Sequence, residues 1–129
     1  MAVEIGPDSA EVAGPALVIE DDALIALELR DLLNKLGFNT VDVARTIEDA
    51  LARIDATTYV FAVVDIKLDC GDALEAARRL ALKGTPFLFA SGYDRPLPAD
   101  LSGAHFLAKP FSEASFADAI RMALAAPAR

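Results

Sequence analysis

Short apolar runs that stop abruptly on a polar or charged residue recur along this chain, and stretches with helical spacing separate them. Ala16-Leu17-Val18-Ile19 ends on Glu20-Asp21-Asp22, Val60 to Val64 ends on Asp65, and Phe87 to Ala90 ends on Ser91-Gly92. Phe106-Leu107-Ala108 runs into Lys109-Pro110 in the same way. An apolar run of about four to eight residues between turn signals reads as a buried strand. Asn39 to Ala44 alternates instead, through Val41 and Val43, which predicts an edge strand with one wet face.

Between the runs the period changes. Ile25, Leu29, Leu32, Leu33 and Leu36 form one stripe of a helix that begins at Ala23 and that Gly37 ends, with Leu24 and Leu27 off the stripe. Thr46 and Asp49 pattern as a capping box ahead of Ile47, Ala50, Leu51 and Ile54. Asp72 with Glu75 predicts the start of a third helix carrying Ala73, Ala76, Ala77, Leu80 and Ala81 and closed by Gly84. Ser112 caps a last helix with Phe116, Ile120 and Leu124 on one face. Tyr93 to Gly103 breaks the alternation, because Pro96 and Pro98 leave room for barely a turn of helix. Strands alternating with helices imply an α/β fold: a parallel sheet covered on both faces and joined by right-handed crossovers, the fourth of them irregular.

At 129 residues the chain is long enough for one core and too short for two domains. Residues 1–14, rich in Gly, Pro and acids, are expected to be a flexible N-terminal tail, 15–126 the folded domain and 127–129 a C-terminal end. A net charge of -8 argues against nucleic acid, since a phosphate backbone is bound by clustered Lys and Arg. No stretch approaches the roughly 20 apolar residues needed to span a bilayer, and no basic leader opens the chain. The single cysteine, Cys70, excludes an internal disulfide and a cysteine-based zinc site and reads as an incidental loop thiol. A cytoplasmic protein with protein or small-ion partners is the expectation.

In a parallel sheet the strand ends lie on one rim, which gathers Glu20-Asp21-Asp22, Asp65, Ser91 and Lys109. Several adjacent carboxylates raise one another's pKa unless something compensates. A hard divalent cation, Mg²⁺ or Mn²⁺, would do so, held by carboxylates and waters. With the Lys109 charge and the Ser91 hydroxyl beside it, Asp65 is placed to act as a nucleophile toward phosphorus, a reaction catalysed mainly by positioning and charge neutralisation. His105, the only histidine, lies in or beside a strand and reads as structural.

These motifs, in this order and spacing, resemble the receiver domains of two-component response regulators over Ala16 to Leu124. The match rests on Val18-Ile19-Glu20-Asp21-Asp22, Val63-Val64-Asp65, Phe89-Ala90-Ser91 and Lys109-Pro110-Phe111. The resemblance implies a flavodoxin-like (βα)5 fold with strand order 2-1-3-4-5, its fourth helix short or replaced by a loop. It implies that Asp65 takes a phosphoryl group from a phosphohistidine on a sensor histidine kinase or a histidine phosphotransfer protein, so that the chain catalyses its own phosphorylation and dephosphorylation rather than metabolism. Glu20, Asp21, Asp65 and the backbone carbonyl of Lys67 would hold Mg²⁺, with Asp22 a helix N-cap. Ser91 and Phe106 would form the switch, Lys109 would pair with the phosphoryl group, and Lys109-Pro110 would be cis.

The chain also departs from that family. Leu68-Asp69 stands where a Met-Pro pair is usual, and Phe106 has no phenol, so a switch there works by packing alone. Phe89-Ala90-Ser91-Gly92-Tyr93 resembles a stand-alone subgroup with a Phe-Ala-Ser/Thr-Gly-aromatic motif, and by resemblance to the receiver family Lys67 and Tyr93, two residues beyond Asp65 and Ser91, would tune access of water to the phosphoryl group. The short segment after Leu124 suggests a receiver without an output module, acting on a downstream protein or draining phosphoryl groups, as a monomer or weak dimer. Leu24 and Leu27 are candidates for a kinase-docking surface. A degenerate receiver that only binds proteins is the alternative. A haloacid dehalogenase phosphatase is disfavoured because Lys67 stands where a second aspartate is needed, and a flavodoxin because no phosphate-binding loop follows the first strand.

Overall fold

The computed structural model describes residues 14–68, 71–92 and 97–125, with only the main chain at 67, 68, 71 and 72. The tail expected at 1–14 thus falls outside the described residues except for Gly14, as do Asp69, Cys70, Tyr93 and the end at 127–129. The elements are β1 (Ala16–Ile19), α1 (Ala23–Lys35), β2 (Val41–Ala44), α2 (Ile47–Ala56), β3 (Phe61–Val64), β4 (Lys67–Leu68), β5 (Gly71–Asp72), α3 (Leu74–Leu82), β6 (Phe87–Ser91), β7 (His105–Ala108) and α4 (Glu113–Ala125).

The five predicted strands are β1, β2, β3, β6 and β7, and they form one parallel sheet in the order β2-β1-β3-β6-β7. This is the flavodoxin-like order 2-1-3-4-5. Ile19 lies level with Ala44 and Val64, and Ser91 level with Ala108. The residues that follow these strands therefore share one rim.

Alternation along the strands divides the core in two. Leu17, Ile19, Ala62, Val64, Phe87 and Phe89 pack with α2 and α3, whereas Ala16, Val18, Phe61, Val63, Leu88 and Ala90 pack with α1 and α4. Strands apolar on both faces are what a sheet covered by two helix layers requires.

The helix ends follow the expected chemistry at most positions. Thr46 Oγ1 accepts from the Asp49 amide at 3.0 Å, and Ser112 Oγ accepts from the Ser115 amide at 3.1 Å. Gly37 and Gly84, at φ 106° and 73°, close α1 and α3 in the left-handed conformation. In both, the following amide reaches back into the last turn: Phe38 to the Leu33 carbonyl and Thr85 to the Leu80 carbonyl, each at 3.0 Å.

One expectation fails. The third helix does not start at Asp72: Asp72 lies in β5, paired antiparallel with Lys67 of β4. The helix N-cap is Ala73, which makes no side-chain capping bond. Main-chain pairing supplies the constraint in place of a side-chain cap, because the Ala73 amide donates to the Ile66 carbonyl at 3.0 Å as the hairpin closes. The irregular fourth crossover contributes a single 3₁₀ turn, Ala99–Leu101, among its described residues.

Candidate functional site

Glu20 leaves β1 at the rim and is almost fully enclosed, at 1% exposure. Its Oε1 accepts from Lys109 Nζ at 2.7 Å, and its Oε2 accepts from the Asp22 amide at 3.2 Å. Burial pushes the Glu20 carboxyl up to about 7; the Lys109 hydrogen bond opposes that rise, and the charge of Asp65 adds to it. Asp22 turns away from the rim and caps α1, its Oδ1 accepting from the Leu24 and Ile25 amides at 2.9 and 3.1 Å. Arg45, just beyond β2, donates from both Nε and Nη2 to the main-chain carbonyl of Asp21, each at 3.2 Å.

Asp65 follows β3 and is fixed through its backbone, its amide donating to the Ile19 carbonyl at 2.8 Å. Its carboxylate faces different donors on its two oxygens, Ser91 and Lys109 among them. Ser91, fully buried at the end of β6, donates from Oγ to Asp65 Oδ1 at 2.8 Å. Lys109 Nζ lies 3.5 Å from Asp65 Oδ2. The Lys109 amide donates to the Ser91 carbonyl at 3.1 Å, which extends the β6–β7 pairing to the rim, and the Lys109-Pro110 bond is cis.

Glu20, Asp21 and Asp65 each offer a carboxylate oxygen, and these atoms lie within 4.8 Å of one another. An all-oxygen, anionic donor set fits a hard divalent cation and not a thiophilic one.

The structure brings together Glu20, Asp21, Asp65, Ser91 and Lys109. Lys67 lies in β4, two residues beyond Asp65, and its side chain, like Tyr93, is outside the described residues. Phe106 stands apart on β7, 38% exposed, its ring centroid 6.4 Å from that of Phe89. Leu24 and Leu27 project from α1 at 72% and 44% exposure. Two features escape the strand-end pattern. Lys109 is closer to Glu20 than to Asp65, which depends on side-chain reach. Arg45 also grips the acidic loop, and its only sequence signal is that it directly follows an edge strand at the rim.

Comparison with known proteins fits this geometry. Residues 16–121 match the model of the response regulator receiver domain. Among curated relatives, the phyllosphere-induced regulator PhyR of Methylorubrum extorquens is 35% identical over 127 residues, covering 90% of this chain and 45% of PhyR. The sensory transduction protein LytR of Staphylococcus haemolyticus is 30% identical over 100 residues, covering 74% of this chain and 39% of LytR. The chain thus spans less than half the length of either relative. Among solved structures, SdrG from Sphingomonas melonis superimposes with a TM-score of 0.75 at 32% identity, over 88% of this chain and 97% of SdrG. Among the described residues, no helix is long and apolar enough to cross a membrane. By its matched motifs, its strand order and the acidic rim they build, the chain belongs to the response regulator receiver domain family.

Proposed function

We propose that this receiver accepts a phosphoryl group on Asp65 from a phosphohistidine of a sensor histidine kinase or histidine phosphotransfer protein. The observation that carries the reading is the placement of the Asp65 carboxylate between the Ser91 hydroxyl at 2.8 Å and the Lys109 ammonium at 3.5 Å. In the reaction an Asp65 carboxylate oxygen bonds to phosphorus as the bond from phosphorus to the donor imidazole nitrogen breaks. The leaving nitrogen keeps the electron pair and takes a proton from solvent. Ser91 turns its hydroxyl from Asp65 to a phosphoryl oxygen, and Lys109 supplies a point charge for the oxygens that develop negative charge.

Glu20, Asp21, Asp65 and the Lys67 carbonyl would hold Mg²⁺ or Mn²⁺. When bound there, such an ion would supply positive charge to offset the carboxylates and the incoming phosphoryl oxygens. Phe106 shifts as Ser91 turns, Lys67 and Tyr93 set the access of water, and Leu24 and Leu27 meet the kinase or phosphotransfer partner. The output is a changed contact with a downstream protein, or the relay or drainage of phosphoryl groups, as in the stand-alone subgroup with the Phe-Ala-Ser/Thr-Gly-aromatic motif.

Incubation with Mg²⁺ and acetyl phosphate should add one phosphoryl mass to the wild type and none to Asp65→Ala, read by intact mass spectrometry. A beryllofluoride complex should shift the amide resonances of Asp65, Ser91 and Phe106. An unmodified wild type, or equal modification of Asp65→Ala, would refute the reading and leave a receiver that works only as a binding module.

A further inference from the structure

The acidic loop that leaves β1 is held from three directions. Lys109, arriving from β7, takes Glu20 at 2.7 Å. The first turn of α1 takes Asp22 through its Leu24 and Ile25 amides. The third hold comes from the end of β2, where Arg45 directs two N–H groups at a single atom, the carbonyl oxygen of Asp21. Strand pairing places Arg45 there, since Ala44 lies level with Ile19 and its carbonyl accepts from the Glu20 amide at 3.0 Å.

A guanidinium that forks onto one carbonyl fixes the plane of the peptide that follows Asp21. The Asp21 carboxylate is one of the three whose oxygens converge within 4.8 Å. The direction of its Cα–Cβ bond is set by the same main chain that Arg45 holds. Arg45 is exposed, and among the described residues its side-chain hydrogen bonds go to the Asp21 carbonyl. The geometry points to Arg45 as a positioning residue for the divalent cation: it sets Asp21 in ligating register by holding its backbone from β2. This role rests on the phosphoacceptor reading, in which the cation is bound.

Simple electrostatics gives the opposite sign. A positive charge beside a cation site repels the cation, so loss of Arg45 should tighten binding if charge alone acted. Ligand orientation from outside the coordination sphere works the other way, and its loss typically weakens metal binding by about 10-fold or more. Lysine keeps the charge but has no planar fork with which to make both bonds to one acceptor.

The test is Mn²⁺ affinity of the full chain, measured from free-ion signal by electron paramagnetic resonance, with amide spectra recorded in parallel to verify folding. Arg45→Ala should weaken Mn²⁺ binding about 10-fold, and Arg45→Lys should fall between it and the wild type. In an Asp21→Asn background, Arg45→Ala should change nothing further, because the ligand it positions is gone. Unchanged or tighter binding in Arg45→Ala overturns the inference, as does an equal loss in the Asp21→Asn background or full recovery by lysine. A wild type that takes up no Mn²⁺ overturns the cation-assisted reading itself, a result distinct from an Arg45 variant that behaves like a Mn²⁺-binding wild type.

Discussion

Strands β6 and β7 lie side by side in parallel and each delivers one group to the rim, yet they are built differently. Every residue of β6 is buried, whereas β7 alternates, with Phe106 and Ala108 exposed. Phe89, paired with Phe106 across the two strands, is fully enclosed, while Phe106 is 38% exposed. β6 lies inside the sheet under both helix layers. β7 is an edge, and the crossover before it contributes only the 3₁₀ turn among its described residues, held by buried Leu101 and an Arg78–Asp100 ion pair at 2.7 Å. The Ser91 hydroxyl therefore stands on a rigid core strand. The Lys109 ammonium comes from a surface strand on a long side chain, 23% exposed, that already spans Glu20 and Asp65.

The contrast can be broken directly at its buried member. Phe89→Ala should destabilise the fold by about 3–5 kcal/mol through lost transfer energy and a cavity, measured by urea unfolding. A loss near 1 kcal/mol would mean that β6 is not the rigid side.

A second effect passes through the carboxylate that Lys109 meets. Glu20 holds its proton to about 7 in the folded chain against 4.5 for an ordinary glutamate. The folded state thus binds that proton more tightly than the unfolded state, and stability must fall with pH where the two differ. The contribution is complete below about 4.5 and is lost as pH rises through about 7. Metal-free protein should therefore melt at lower temperature at pH 8 than at pH 5, beyond the trend of Glu20→Gln, and Mg²⁺ should restore the loss at pH 8. A wild type that tracks Glu20→Gln across this range would show that Lys109 already satisfies the carboxylate.

The smallest effect belongs to the exposed partner. Phe106→Ala should cost about 1 kcal/mol or less, because much of its ring already faces water. Urea unfolding alongside Phe89→Ala provides the check, and equal losses would erase the distinction between the strands.

How far these features could be read from sequence depends on the range of the interactions that make them. The strands and the rim were legible because Val63-Val64-Asp65 and Phe89-Ala90-Ser91 carry local signals, apolar continuity and then a polar stop, that coincide with the fold. Gly37 and Gly84 were legible as helix ends for the same reason. The β4–β5 hairpin was not, since two-residue strands leave no periodicity and Asp72 with Glu75 imitates a capping box. The preference of Lys109 for Glu20 and the grip of Arg45 on Asp21 join residues 89 and 24 positions apart, and no local pattern encodes either.

The all-parallel sheet has a practical consequence for handling the molecule. Its strands start at one end and finish at the other, and α4 leaves the rim after β7 and runs back along the sheet. The described chain thus enters at Gly14 and leaves at Ala125, both on the side remote from Asp65. A working end and a tethering end result, so a fluorophore attached beside Gly14 or Ala125 stands away from the Asp65 rim.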